Sequence, residues 1–405
     1  MEAAHKWEQK WREIERLYPW YRDLTKDRTI RSLEDLPFMT APLLEARYYR
    51  QPPPDDPAIS VYRTSGTSAK GRKTILYSLE DDDYYVALKQ KLFADILNGT
   101  QITKAVSDMG TGHAASTAGA IFAAMGIDYR IVPFEEPLET HIALLESYRP
   151  ELLYTMPSIL ERIVQGAREP RAFGLRKIIL VGEVASSRWI ANMAAAFGLS
   201  PVDVTDTYGS IELGTMAYYS HANGRYFLED TIIAETAQPQ DLGLTIDPLR
   251  EDEAILVLTS MNRRYFPALR FVTYDVVRGF RPAAEDGSVP ASFESIVKRV
   301  GPEFKHGEKM SIHDIEEVVG SLLPDAIARV AIAGNKLCVT VSSAHITEEA
   351  IIAIKAGLRE QIPEIGLMIR NRLLEDIEVE TQPYGEPGAR KGIKEKKLRI
   401  EEPGS

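Results

Sequence analysis

Cysteine is almost absent. The 405 residues contain one, Cys338, which excludes an internal disulfide or a multi-cysteine zinc site and makes a reducing, cytoplasmic setting the expectation. Cys338 lies in the strand-like run NKLCVTV, where a free thiol serves as a small core hydrophobe. Long apolar runs are lacking too, so a bilayer-spanning helix is excluded and no membrane partner is expected. The opening stretch, MEAAHKWEQKWREIERLYPWY, has neither the apolar core nor the small-residue cleavage site of a signal peptide. Its Trp7, Trp11, Ile14 and Leu17 recur at helical spacing and predict a domain's first helix. Excess positive charge is missing as well: 48 Lys and Arg against 59 Asp and Glu leave a net −11. Affinity for a phosphate backbone comes from clustered cations, so nucleic acid is excluded as a general partner and small molecules or proteins are expected.

What is present is an ordinary globular composition, 44% hydrophobic and 26% charged, at a length of about two to three domains. After the proline-rich QPPPDDP, strand-like runs (AISVYR, KTILYS, KAVSDM, DYRIVPF, ELLYTM, KIILVG, PVDVTD) alternate with helical stretches, which predicts parallel sheets covered by helices. Ser78 before an acidic cluster is a helix start, the hydroxyl capping N–H groups and the carboxylates offsetting the dipole. From about residue 225 shorter alternating runs predict a small antiparallel or barrel-like β subdomain. The polar stretch FRPAAEDGSVPAS, near residues 280–292, is the expected connection to a terminal module. The fold class read here is α/β, with a large N-terminal domain over 1–292 and a smaller α+β domain over 293–405 that begins with a strand.

The first chemical signal is TSGTSAKGRKT, residues 64–74. Read from Gly66 it nearly matches a Walker A loop, but Arg72 separates Gly71 from Lys73, and the following KTILYS reads as a strand where a P-loop feeds a helix. A loop between two strands can still hold polyphosphate through backbone N–H groups, hydroxyls and cations. A P-loop kinase or ATPase requires a helix directly after Gly71. A solvated Gly/Ser hairpin turn is the plain structural alternative.

Four segments in order carry a resemblance. YRTSGTSAKGRKT resembles the Thr/Ser/Gly-rich phosphate loop of the adenylate-forming superfamily, and DTYGSIELG (206–214) is similar to its Tyr-Gly-x-x-Glu motif. FPALRFVTYDVVRG (266–279) and HGEKMSIHDIEEVV (306–319) are similar to its Arg-Tyr-x-Thr-Gly-Asp segment and the opening of its C-terminal lid. YTMPSILERI and LVGEVAS resemble the phenylacetate–coenzyme A ligase-like branch, which also contains aryl acid–AMP ligases. The resemblance implies that a carboxylic acid, with ATP and Mg²⁺, gives an acyl-adenylate and pyrophosphate. The acyl group then passes to coenzyme A or to a phosphopantetheinyl carrier protein.

The resemblance also implies roles. Thr64, Ser65, Gly66, Thr67, Ser68 and Lys73 would hold the β- and γ-phosphates, while Lys70 and Arg72 are equally compatible with solvent. Glu212 would ligate Mg²⁺, since a hard cation takes carboxylate oxygen, although a strand-end glutamate is ordinarily solvated. Tyr208 would stack on adenine or serve as a buried anchor, and Gly209 would let backbone approach the nucleotide. Asp275 would accept from both ribose hydroxyls, with Tyr274 standing where the family usually has glycine. His113 would line or gate the acyl pocket or simply begin a helix, and Gly182 and Glu183 would border that pocket from a strand's C-terminal end.

A C-terminal lysine would neutralise charge in the adenylation transition state. Lys394 is the first candidate and Lys391 the next. The hinge match is poor, VKRVGPEFKHG offering only Lys298 or Arg299 for the usual arginine. Asp108 precedes its loop and is not counted as an amine-binding group, so an aryl or other amine-free acid is expected. A non-catalytic nucleotide-binding relative is the third possibility, consistent with the altered hinge and Tyr274.

Overall fold

Strands Ile59–Arg63 and Thr74–Ser78 pair antiparallel, in register from Ile59↔Ser78 to Arg63↔Thr74. In this computed structural model the described residues are 2–63, 73–110, 112–133, 135–246, 248–300, 312–333, 336–370, 374–383 and 398–401. The chain thus enters the Thr/Ser/Gly segment from one strand and leaves it into another. Strand Thr74–Ser78 stands where a P-loop requires a helix, which rules out the P-loop reading. The pair forms a two-stranded sheet of its own, so these two runs are not part of the parallel array expected for them. Ile75 and Tyr77 alternate into the interior, 0% and 1% exposed, as the two-residue period of a strand requires.

Helix Leu79–Leu97 follows at once. Ser78 Oγ accepts from Asp81 N at 3.1 Å while Asp81 Oδ2 accepts from Ser78 N at 3.0 Å, a reciprocal cap of the orphan N–H groups. The expected start at Ser78 is therefore present, with Asp81 doing more than offsetting a dipole.

The chain divides into two compact units. One comprises Met1–Thr100, Thr111–Met125 and Thr207–Glu303; the other comprises Gln101–Gly110, Gly126–Asp206 and Phe304–Ser405. The first holds the hairpin, the N-terminal helices and two antiparallel arrays. Strand Gly214–Ser220 pairs with residues 207–210 and with Arg225–Leu228, which pairs with Ser292–Phe293. Strands Ile232–Ala237, Glu253–Ser260, Phe271–Arg278 and Ser295–Arg299 make a four-stranded sheet. The antiparallel subdomain expected after residue 225 is this pair of arrays. Strand Ser295–Arg299, read as the start of the terminal module, instead pairs with Phe271–Arg278, because its buried Ile296 and Val297 complete that sheet.

The second unit contains parallel strands in the order Lys177–Val181, Leu152–Thr155, Lys104–Asp108, Asp128–Val132. Ile178, Ile179 and Leu180 are fully buried, as are all four residues of Leu152–Thr155. Continuous apolar runs of this kind mark strands covered on both faces. Here helices Leu138–Tyr148, Pro157–Gly166 and Ser187–Ala196 supply core side chains such as Leu145, Leu160 and Trp189.

The same unit carries the α+β terminal module. Strands Asp376–Gln382, Lys336–Ser342, Ile327–Ala333 and Leu398–Glu401 form one sheet. Helices Ile312–Leu322 and Glu348–Gln361 pack Ile315, Val319, Ile354 and Leu358 on it. Cys338 is half-buried on strand Lys336–Ser342, more open than a core hydrophobe. No described helix is long and apolar enough to cross a membrane.

Candidate active site

In the first unit, the turn after residue 210 carries Glu212, 9% exposed. Three side chains hold this turn. Tyr77 Oη donates to Ile211 O at 2.9 Å, Arg263 Nε donates to Glu212 O at 2.9 Å, and Tyr49 Oη donates to Glu212 Oε1 at 3.3 Å. Lys73 Nζ lies 4.7 Å from the centroid of the Tyr49 ring. The structure therefore brings together Lys73, at the exit of the Thr/Ser/Gly loop, and Glu212 around one tyrosine. Burial, reinforced by the Glu212 charge, pushes the Tyr49 phenol well above its ordinary pKa and keeps it a donor.

Among the described residues no cluster of three or more His, Cys, Asp or Glu could form a complete protein cage for a metal. A single presented carboxylate does fit Mg²⁺, which keeps most of its water and binds through one or two carboxylates plus substrate phosphates.

Tyr208 and Asp275 form a second focus in this unit. Tyr208 Oη donates to Asp275 Oδ2 at 2.6 Å, and the buried Tyr208 ring meets Phe293 edge-on at 5.8 Å. Burial, then the Asp275 charge, raises the Tyr208 pKa well above the ordinary value. Arg299 Nε stands 3.6 Å from Asp275 Oδ1 on an exposed side chain, a contact that water screens. Gly209 permits a close approach, though of its own chain: a Cβ there would lie 2.8 Å from Gly214 O.

Tyr274 takes the left-handed backbone conformation, φ 62°, which glycine adopts freely and a bulky residue does not. Its ring packs in the core with Val257, Val276 and Val300, and its Oη accepts from Ala41 N at 3.1 Å. Thr273 Oγ1 accepts from Asp275 N at 3.1 Å and donates to Leu256 O at 2.8 Å. Packing and these bonds hold Tyr274 in the left-handed conformation that glycine adopts freely.

His113 opens helix His113–Ala124 behind Gly112, whose φ is 115°. It is buried, its Nε2 lies 2.8 Å from Asp82 Oδ1, and it sits among Tyr77 (4.1 Å, stacked), Tyr85 (4.2 Å) and Tyr62 (4.8 Å). Burial lowers its pKa against the opposing pull of Asp82, which favours the neutral ring with Nε2–H donating.

Gly182 and Glu183 belong to the second unit, directly after strand Lys177–Val181. Gly182 has φ 86°. Glu183 accepts from Ser158 N at 2.8 Å and from Ser158 Oγ at 3.0 Å, capping helix Pro157–Gly166 and complementing its dipole. Thr64, Ser65, Gly66, Thr67, Ser68, Lys70, Arg72, Lys391 and Lys394 lie outside the described residues. Sequence patterning missed Tyr49, Tyr77, Asp81 and Arg263. The only signal for Arg263 was a paired arginine in NRRYF between apolar segments.

Residues 22–239 match the AMP-binding enzyme family, and residues 305–384 match the fumarate–diaminopropanoate ligase C-terminal domain. The chain belongs to the AMP-binding, adenylate-forming enzyme family and is an adenylate-forming ligase that uses ATP. It is 37% identical over 369 residues to a fumarate–(S)-2,3-diaminopropanoate ligase of Enterobacter agglomerans, covering 91% of this chain and 92% of that one. A 2-hydroxyisobutyryl-CoA ligase in its postadenylation state superposes with a TM-score of 0.72 at 15% identity, over 98% of this chain and 88% of that one. An open conformation of that ligase with CoA gives 0.62 at 16% identity, over 98% and 90%.

Proposed function

We propose that this ligase activates a small dicarboxylic acid as its acyl-adenylate and transfers the acyl group to an amine, forming an amide. The observation that carries the reading is the 37% identity to a fumarate–diaminopropanoate ligase across nine-tenths of both chains. The match of residues 305–384 to the C-terminal domain of such ligases supports it. In the first step a carboxylate oxygen attacks the α-phosphorus of ATP and pyrophosphate leaves. In the second the amine nitrogen attacks the acyl carbonyl, AMP leaves, and the nitrogen loses a proton.

In this reading Asp275, oriented by the Tyr208 hydroxyl, accepts the ribose hydroxyls, and the Tyr208–Gly209 segment borders adenine. Glu212 would hold Mg²⁺, whose charge offsets that of the phosphates. Lys73 and the hydroxyls of Thr64, Ser65, Thr67 and Ser68, with Gly66, take the pyrophosphate end. Lys394 meets charge developing at the α-phosphate. His113 borders the acid in its tyrosine cage, and Gly182 and Glu183 are assigned to the acid-binding end.

Acid-dependent exchange of labelled pyrophosphate into ATP tests the first step. Fumarate and succinate should support it strongly, with hydroxybenzoate and phenylacetate as the aryl comparison. Mass spectrometry with 2,3-diaminopropanoate or coenzyme A as acceptor tests the second. Exchange confined to aryl acids, or acyl transfer only to coenzyme A, would overturn the amide-ligase reading.

A further inference from the structure

Arg263 is a buried arginine for which the nucleotide-binding roles above leave no place. It is 4% exposed and lies outside the Tyr-Gly-x-x-Glu and Arg-Tyr-x-Thr-Gly-Asp segments. Its guanidinium binds three separate elements. Nη1 pairs with Asp81 Oδ2 at 2.5 Å at the start of helix Leu79–Leu97, Nη2 donates to Leu76 O on the strand leaving the Thr/Ser/Gly loop, and Nε donates to Glu212 O. The plane lies on Tyr77, 3.6 Å from guanidinium carbon to ring centroid, and Tyr77 itself holds Ile211 O.

Asp81 is equally committed, accepting from the backbone N–H groups of Ser78 (3.0 Å), Arg264 (2.7 Å) and Tyr265 (3.2 Å). From helix Glu2–Leu17, Lys10 donates to the Arg263 carbonyl and to Glu13. A buried ion pair is a poor source of stability compared with apolar side chains of similar volume. What the pair does supply is a rigid fork whose donors point in fixed directions, which the single ammonium of lysine does not reproduce.

We infer that Arg263 is a positioning residue for adenylation. It locks the carbonyl of Glu212 to strand Thr74–Ser78, so that the Glu212 carboxylate keeps one placement relative to Lys73 at the head of that strand. The inference rests on the assignment of Glu212 to Mg²⁺ given above. Arg263 touches neither reacting atoms nor nucleotide in this scheme, and its effect reaches the reaction only through Glu212.

The test compares Arg263→Lys, Glu212→Gln and the double variant. Calorimetry measures ATP binding with Mg²⁺ and with EDTA, and pyrophosphate exchange measures the half-saturating free Mg²⁺ concentration. Arg263→Lys keeps a cation opposite Asp81 and is expected to weaken Mg²⁺·ATP binding about 10-fold. ATP binding in EDTA should change by less than about 2-fold, and the Mg²⁺ requirement should rise by a similar 10-fold factor. Because Arg263 acts through Glu212, the double variant should be no worse than Glu212→Gln alone.

Tyr77→Phe, which removes only the hydroxyl on Ile211 O, should move the same quantities in the same direction by about 3-fold and serves if Arg263→Lys does not fold. A Glu212→Gln protein with an unchanged Mg²⁺ requirement would sink the Glu212 assignment. A shift in Glu212→Gln with none in either Arg263→Lys or Tyr77→Phe, or losses that multiply in the double variant, would sink the positioning role itself.

Discussion

The Tyr208 hydroxyl donates to Asp275 Oδ2 at 2.6 Å across 67 residues of sequence, joining the Tyr-Gly-x-x-Glu turn to the strand assigned to ribose. A hydrogen bond to a carboxylate contributes about 1.5–3 kcal/mol, and its loss should fall on nucleotide binding. Tyr208→Phe is therefore expected to raise KM for ATP about 10-fold with little change in kcat, read from steady-state exchange kinetics. Asp275→Ala should cost more, because it removes the ribose acceptor itself. Equal KM values for wild type and Tyr208→Phe would show that the hydroxyl does not orient Asp275.

Tyr274 makes an unusual prediction about glycine. Its φ of 62° costs a side-chain-bearing residue about 1–2 kcal/mol, so Tyr274→Gly should be more stable than Tyr274→Ala by about 1 kcal/mol. Both should fall below wild type by about 2–4 kcal/mol, because a buried aromatic ring is lost from the core. Urea denaturation of the three proteins checks the order, and alanine matching glycine would contradict the left-handed assignment.

The lowered pKa of His113 has a signed consequence. A histidine whose folded pKa lies below its unfolded value binds fewer protons when folded, so its contribution is present above about pH 6.5. It is lost as pH falls through the folded pKa. Tm should drop between pH 7 and pH 5 in wild type and drop less in His113→Gln, measured by scanning calorimetry in matched buffers. Parallel curves for the two proteins would place the acid sensitivity in other groups.

In the second unit Glu161 is 1% exposed, accepts from Trp189 Nε1 at 3.2 Å and pairs with Arg329 on strand Ile327–Ala333. Removing the arginine leaves a buried carboxylate without its countercharge, which costs about 3–5 kcal/mol for a fully buried pair. The Arg329 side chain is 30% exposed, so solvent reduces the expected loss to about 1–3 kcal/mol. Arg329→Met should lower stability by that amount, and Arg329→Met with Glu161→Leu should recover most of it.

Much of the architecture could be read from local pattern. Continuous apolar runs at residues 152–155 and 177–181 gave strands buried on both faces, and Ser78 before an acidic cluster marked a helix start that the reciprocal cap realises. Strand Ser295–Arg299 could not be assigned to its sheet this way. An alternating run shows that one face is buried, but the partner is chosen by which sheet offers a matching edge. Glu183 stood at a strand's C-terminal end as expected, yet only the fold showed that its carboxylate caps a helix beginning 26 residues earlier at Pro157.

By itself the sequence determined the adenylate-forming family, through ordered motifs whose chemistry is local. It also determined that the Thr/Ser/Gly loop leads into a strand, because Thr74 to Ser78 form a short run of β-branched, apolar and aromatic residues between that loop and the helix start at Ser78. Tertiary structure alone decided what surrounds Glu212. Arg263 reaches it from 51 residues away and is itself held by Asp81, 182 residues from Arg263 in sequence, and a buried ion pair leaves no periodic trace in either segment. Tertiary structure also decided that Tyr274 occupies a left-handed conformation, since only core packing and the bond from Ala41 offset a backbone cost that the residue type would otherwise forbid.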